Sequence, residues 1–228
     1  MAVLDPEMLL RAYSIGVFPM ADSRDAPDIY WVEPRKRAII PLGQFRLSKS
    51  LRKTLRSGTF DVTHDTAFAE VLSHCAERDE TWINEQIEQS FNHLHERGHA
   101  HSIECWHEGE LVGGLYGVKL GGAFFGESMF SLETDASKVA LAWLVARLTV
   151  GGFKLLDCQF MTEHLRSLGA VEIDQKDYVR LLASVLAEAG EEAPEFGALD
   201  RLLESERSRA PDPPPSGCVI AQLLGQTS

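Results

Sequence analysis

The chain has 228 residues, 44% of them hydrophobic and 25% charged, with a formal net charge of -12. This composition excludes a disordered chain, and no apolar run nears the ~20 residues of a membrane span. An acidic balance speaks against a nucleic-acid partner, but the way the charge is distributed reverses that reading.

Asp5-Pro6-Glu7 predicts a helix start, with the helix running from Met8 to Tyr13 and stopping near Gly16. Asp5 and Glu7 are unlike the basic start of a signal peptide. Gly16 to Met20 reads as a turn and 22–28 as a loop. Tyr30-Trp31-Val32 and Ala38 to Pro41 read as short strands. From Arg35 to Phe60 there are eight basic residues, Arg35, Lys36, Arg37, Arg46, Lys49, Arg52, Lys53 and Arg56, and no acid. The rest of the chain carries 14 basic against 34 acidic residues. So polarised a chain orients a polyanion onto one face. A helix capped by Ser48 places Lys49, Arg52, Lys53 and Arg56 on one stripe, where something anionic should compensate them.

Phe60 to Thr63 reads as a strand. Asp65 is expected to cap a helix over 66–76, and a further helix spans Asn84 to Glu96. His99–Trp106, Leu111–Lys119 and Phe124–Phe130 alternate as strands of an antiparallel meander. A long helix follows from Ala136 to Val150, then a buried strand over 153–160. A short helix over 163–167, a strand over 171–173 and a helix over 177–189 complete the series. Past Gly190 the chain turns acidic, and at 211–215 it is Pro-rich, which reads as a surface-wrapped or partly mobile tail. Three parts are expected: a small N-terminal subdomain over 1–34, a catalytic domain over 35–190 and the tail over 191–228.

Glu127 stands in the apolar run from Phe124 to Phe130. Strand alternation puts Phe125, Glu127 and Met129 on one face unless Gly126 makes a bulge. A carboxylate there needs a partner or a use. Asp157 and Gln159, two apart, should likewise share a face, with Asp157 orienting the Gln159 amide. Histidines 93, 95, 99 and 101 lack metal-ligand spacing, and no metal is expected. Cys75, Cys105, Cys158 and Cys218 form no CxxC and read as reduced cytosolic thiols. The order meander, long helix, strand, helix, strand, helix is that of an α+β, acetyltransferase-like fold, a mixed sheet flanked by helices. Such folds hold coenzyme A pyrophosphate on a Gly-rich loop before the long helix. Here that loop, 131–135, has no Gly and two acids, so a different acyl donor is expected and no cofactor. A coenzyme A-dependent acetyltransferase and a non-catalytic RNA-binding module are the rival readings.

Tyr13-Ser14-Ile15-Gly16-Val17-Phe18-Pro19, Thr81-Trp82-Ile83, 94–104, 111–117, 125–131 and Leu156-Asp157-Cys158-Gln159 together resemble the bacterial leucyl/phenylalanyl-tRNA–protein transferases. The resemblance runs collinearly from about Leu4 to Leu182. It implies transfer of Leu, Phe or less often Met from aminoacyl-tRNA to proteins beginning with Arg or Lys, which marks them for degradation. It implies a cytoplasmic monomer with Leu-tRNA, Phe-tRNA and acceptor proteins as partners and no membrane. It places Asp157, Gln159 and Glu127 at the polar centre. Phe124, Met129, Leu115, Leu144 and Leu156 fall at aminoacyl-pocket positions and Trp82 near the adenosine. Met20 stands where a Trp is common in the family. Lys49, Arg52, Lys53 and Arg56 match the face toward the tRNA acceptor stem.

Overall fold

A computed structural model describes residues 3–78, 81–188, 193–209 and 214–225. The opening helix α1 (Pro6–Ser14) is capped by Asp5, whose carboxylate accepts the Met8 N–H at 3.0 Å. Strands β1 (Phe18–Met20) and β2 (Tyr30–Val32) form a small antiparallel pair. Strand β3 (Lys36–Ile40) enters the main sheet instead. Helix α2 (Lys49–Ser57) is capped by Ser48 as expected and closed by Gly58 in a left-handed conformation. Then come β4 (Asp61–His64), α3 (Phe68–Ala76) and α4 (Glu85–Glu96). The meander β5 (Ala100–His107), β6 (Glu110–Leu120) and β7 (Ala123–Ser131) is followed by α5 (Ala136–Val150), β8 (Leu155–Asp157), α6 (Glu163–Ser167), β9 (Val171–Asp174) and α7 (Gln175–Ala187).

The seven-stranded sheet runs β4-β5-β6-β7-β8-β3-β9 and is antiparallel except where β7 meets β8. A parallel pair needs a crossover, and α5 supplies it. Two apolar layers sandwich the sheet. Helices α2 and α5 cover one face against Leu115, Phe124 and Leu156. Helices α1, α3, α4 and α7 cover the other against Tyr116, Phe125 and Phe130.

Three expectations are corrected. Asp65 caps no helix: α3 starts at Phe68, and Asp65, at φ 56°, accepts the Ser102 N–H at 3.0 Å and meets the His101 ring at 2.8 Å. The strand expected over 153–160 stops at Asp157. The segment past 190 is no loose wrapping in its described parts. It forms α8 (Ala198–Arg209) and α9 (Ser216–Gly225), and Phe196, Leu199, Ile220 and Leu224 are buried in the α5 layer. Gly217 packs so close that a Cβ there would lie 2.0 Å from the Leu55 carbonyl, so α9 can seat on α2 only with glycine at that point. Residues 189–192 and 211–213 of the expected acidic and Pro-rich stretches lie outside the described residues.

Candidate active site

Strands β7 and β8 pair only from Ala123–Leu155 to Phe125–Asp157. Beyond that point they part, and the sheet opens into a fork. A bulge aims β7 into the opening. Tyr116 pairs with Ser128 and Gly117 with Gly126, which leaves Glu127 without a ladder partner. Gly117 permits this: a Cβ there would meet the Phe125 carbonyl at 2.3 Å. The bulge also shifts the alternation by one. Phe124 and Met129 therefore share the α5 face, and Phe125 and Phe130 share the other, contrary to simple alternation.

Glu127 is 8% exposed. Its Oε1 accepts the Tyr13 hydroxyl at 2.8 Å, and its Oε2 has no partner among the described residues. Burial pushes its carboxyl up to about 7, while the Tyr13 hydroxyl and the nearby Gln159 amide hold it down. Burial and the Glu127 charge raise the Tyr13 phenol well above its ordinary value, so it remains a donor.

Asp157 lies at the throat of the fork and is fully buried. Arg37 comes across from β3: its Nε is 3.0 Å from both Asp157 oxygens and its Nη2 is 2.6 Å from Oδ2. Tyr178 of α7 donates its hydroxyl to Oδ2 at 2.6 Å. This corrects the expected Asp157–Gln159 side-chain contact. Asp157 Oδ1 accepts the backbone N–H of Gln159 at 2.8 Å, and the Gln159 side-chain nitrogen has no hydrogen-bond partner among the described residues. Gln159 adopts φ 60°, a left-handed turn that costs an L-residue about 1–2 kcal/mol. The Asp157 contact and the Ala38 N–H donated to the Gln159 carbonyl at 3.0 Å hold it there. Arg37 is also corrected: counted in the basic run, it is 1% exposed and offers nothing to a polyanion.

A cavity of about 390 Å³ fills the fork. Leu115, Met129, Leu144 and Leu156 of the α5 layer line it together with Trp82 of the opposite layer, Glu127 and Gln159. Three anticipated residues stand away from it. Phe124 lies behind the wall, packed on Phe196 with ring centroids 5.7 Å apart. Met20 packs in the opposite layer. Asp157 is fully buried and does not line the cavity. Sequence reasoning missed Leu141, Cys158 and the half-exposed Phe160, which also line it. It also assigned no role to Tyr13 or Tyr178, whose hydroxyls reach Glu127 and Asp157 from helices more than a hundred residues apart in the chain. Lys49, Lys53 and Arg56 are exposed along α2, whereas Arg52 is half-buried beneath the C-terminal end of α9. Among the described residues no group of three or more His, Cys, Asp or Glu is placed to hold a metal ion, and no helix is long and apolar enough to cross a membrane.

A mixed sheet that splits between two parallel strands, with a polar-centred cavity at the split, defines an acetyltransferase-like fold. The solved structure of FemX shares it, with a TM-score of 0.51 and 12% identity over 74% of this chain and 66% of that one. The sequence comparison is more specific. Residues 39–183 match the leucyl/phenylalanyl-tRNA protein transferase family, and residues 2–35 match the N-terminal domain of that family. The leucyl/phenylalanyl-tRNA–protein transferase of Rhizorhabdus wittichii is 61% identical over the whole of both chains. That of Zymomonas mobilis is 54% identical over 88% of this chain and 77% of its own. The chain belongs to this family.

Proposed function

We propose that this protein transfers Leu or Phe, and less often Met, from aminoacyl-tRNA to the N-terminal Arg or Lys of acceptor proteins, marking them for degradation. In this reading it works as a cytoplasmic monomer without a cofactor. The observation that carries the reading is the cavity at the fork. It is apolar where a substrate side chain would sit, and it is also lined by Glu127 and Gln159, whose buried Oε2 and Nε2 have no hydrogen-bond partner among the described residues. Native structures seldom leave such groups unpaired, so a ligand is the economical partner.

The reaction is ester aminolysis. The acceptor α-amine attacks the ester carbonyl carbon, an amide bond forms, and the bond to the ribose oxygen breaks. The amine loses one proton and the departing ribose oxygen gains one. The donor is already activated, so positioning alone can supply on the order of 7–11 kcal/mol. Leu115, Met129, Leu141, Leu144 and Leu156 would take the aminoacyl side chain. An apolar pocket separates side chains by only about 1–3 kcal/mol per methylene, consistent with a tolerance of Leu, Phe and Met. Trp82 and Phe160 would stack the terminal adenosine. The Gln159 carbonyl would accept from the attacking amine, and Glu127 would attract the cationic N-terminus. The exposed Lys49, Lys53 and Arg56 would meet the acceptor stem, with Arg52 held beside them under α9. A coenzyme A pyrophosphate finds no seat at the start of α5. There Ser131 Oγ already accepts the Ser137 N–H at 3.2 Å, and Glu133 and Asp135 stand beside it.

Radiolabelled Leu carried by Leu-tRNA should appear on a peptide beginning with Arg, and not on one beginning with Glu. Absence of transfer from intact, charged tRNA would overturn the reading. Gln159→Ala should lower turnover while tRNA affinity stays; full activity would remove Gln159 from the centre.

A further inference from the structure

Next to Gln159 and Glu127 lies a buried ion pair, Asp157 with Arg37, that touches neither the ester nor the amine. Asp157 accepts on every side. Its Oδ1 takes the Gln159 N–H at 2.8 Å and Arg37 Nε at 3.0 Å. Its Oδ2 takes Arg37 Nη2 and the Tyr178 hydroxyl, each at 2.6 Å. A carboxylate bound to a guanidinium fork and two further donors has no free lone pair directed at the cavity, and protonating it would break one of those contacts. Arg37 is fixed in turn. Its Nη1 donates to the Gly16 carbonyl at 2.9 Å, and its plane lies between the rings of Phe18 and Tyr178, 4.7 and 4.6 Å from their centroids. One side chain thus ties the end of α1, strand β3, the end of β8 and helix α7 to the turn that carries Gln159.

We propose that Arg37 and Tyr178 are positioning residues for the transfer, holding Asp157 so that it keeps the left-handed turn at Gln159. The inference rests on the aminoacyl-transfer reading. Proton traffic at the centre falls to the groups that do face the cavity, and Asp157 acts through geometry alone. Lysine in place of Arg37 keeps the charge but loses the fork and the contact to Gly16.

The test uses the full chain, charged Leu-tRNA and a peptide beginning with Arg. Arg37→Lys and Tyr178→Phe are checked for folding by circular dichroism, and kcat and KM are measured for both substrates. We expect kcat to fall about tenfold or more, with both KM values within about twofold of the parent. In a Gln159→Ala background the same two substitutions should cost kcat nothing further, because the turn they hold then presents no amide. A loss that stays multiplicative in that background overturns the proposal, as does an unchanged kcat in a folded variant or a change confined to KM. If Arg37→Lys fails to fold, Tyr178→Phe decides alone, since it removes one hydroxyl and keeps the ring. Failure of the parent enzyme to transfer Leu is a separate result, which rejects the function and not the clamp.

Discussion

Tyr13→Phe isolates what sets the ionisation of Glu127. The substitution removes one donor, 2.8 Å from Oε1, and keeps the ring that packs on Phe125 at 4.9 Å. Burial drives the Glu127 carboxyl up to about 7, and Tyr13 is the largest influence holding it down. A hydrogen bond to a charged group is worth about 1.5–3 kcal/mol. At 1.36 kcal/mol per unit, its loss raises the carboxyl by roughly 1–2 units. If the carboxylate attracts the cationic acceptor, kcat/KM for an Arg-started peptide rises with pH as Glu127 ionises. In Tyr13→Phe that rise moves to higher pH. Activity near neutrality should fall about tenfold and recover as pH approaches about 9. The peptide amine also titrates in this range, but its pKa is the same for both enzymes, so the displacement reports Glu127. Profiles that superimpose would refute the reasoning, and a uniform drop at all pH would reduce Tyr13 to packing.

The same carboxyl predicts a stability effect of known sign. Its folded pKa is raised from 4.5 to about 7, so stability is fully present below the unfolded value and lost as pH rises through the folded one. The loss is roughly 3 kcal/mol above both. Glu127→Gln should therefore melt higher than the parent at about pH 8 and alike near pH 4, and a pH-independent difference would reject the assignment. Lys49→Ala, Lys53→Ala and Arg56→Ala combined should flatten the dependence of log tRNA affinity on log salt by about two to three units; an unchanged slope places the tRNA on another face. Phe196→Ala should cost about 3–5 kcal/mol in urea unfolding, although it lies in the acidic C-terminal part. Its ring is 5% exposed and stacks on His101 at 4.2 Å. A cost under about 1 kcal/mol would show that this part folds apart from the sheet.

Periodicity served well where one face of an element is buried and the other wet. The meander, α2, α4 and α7 all lie within a few residues of where the pattern places them. The long α5 lies where the sequence places it, although twelve of its fifteen residues are buried and little of it faces water. Composition misled at the C-terminal end. Acidity and prolines suggest solvent, yet a few spaced apolar residues, Phe196, Leu199, Leu203, Ile220 and Leu224, suffice to bury α8 and α9. Charge counting misled at Arg37 for a related reason. A basic run assigns all its members to one surface, while a strand turns alternate residues inward, and here the inward residue met an acid 120 positions away.

The fork shows why the site could be located in the sequence and yet drawn wrongly. Glu127, Gln159 and the aliphatic wall stand out as residue types, because an acid and an amide in apolar runs demand an explanation. Which faces they share depends on backbone events that residue types do not encode. One unpaired residue on β7 moves Met129 to the side of Phe124, and one left-handed residue after β8 turns Gln159 away from the face that alternation assigns it. Both irregularities are held from outside the strands, the first by the room that Gly117 leaves and the second by the Asp157 carboxylate under Arg37. A regular sheet would have closed the fork and buried both polar groups against hydrocarbon, at a cost of several kcal/mol. The two departures from periodicity are therefore what turns a sheet edge into a cavity with a polar centre.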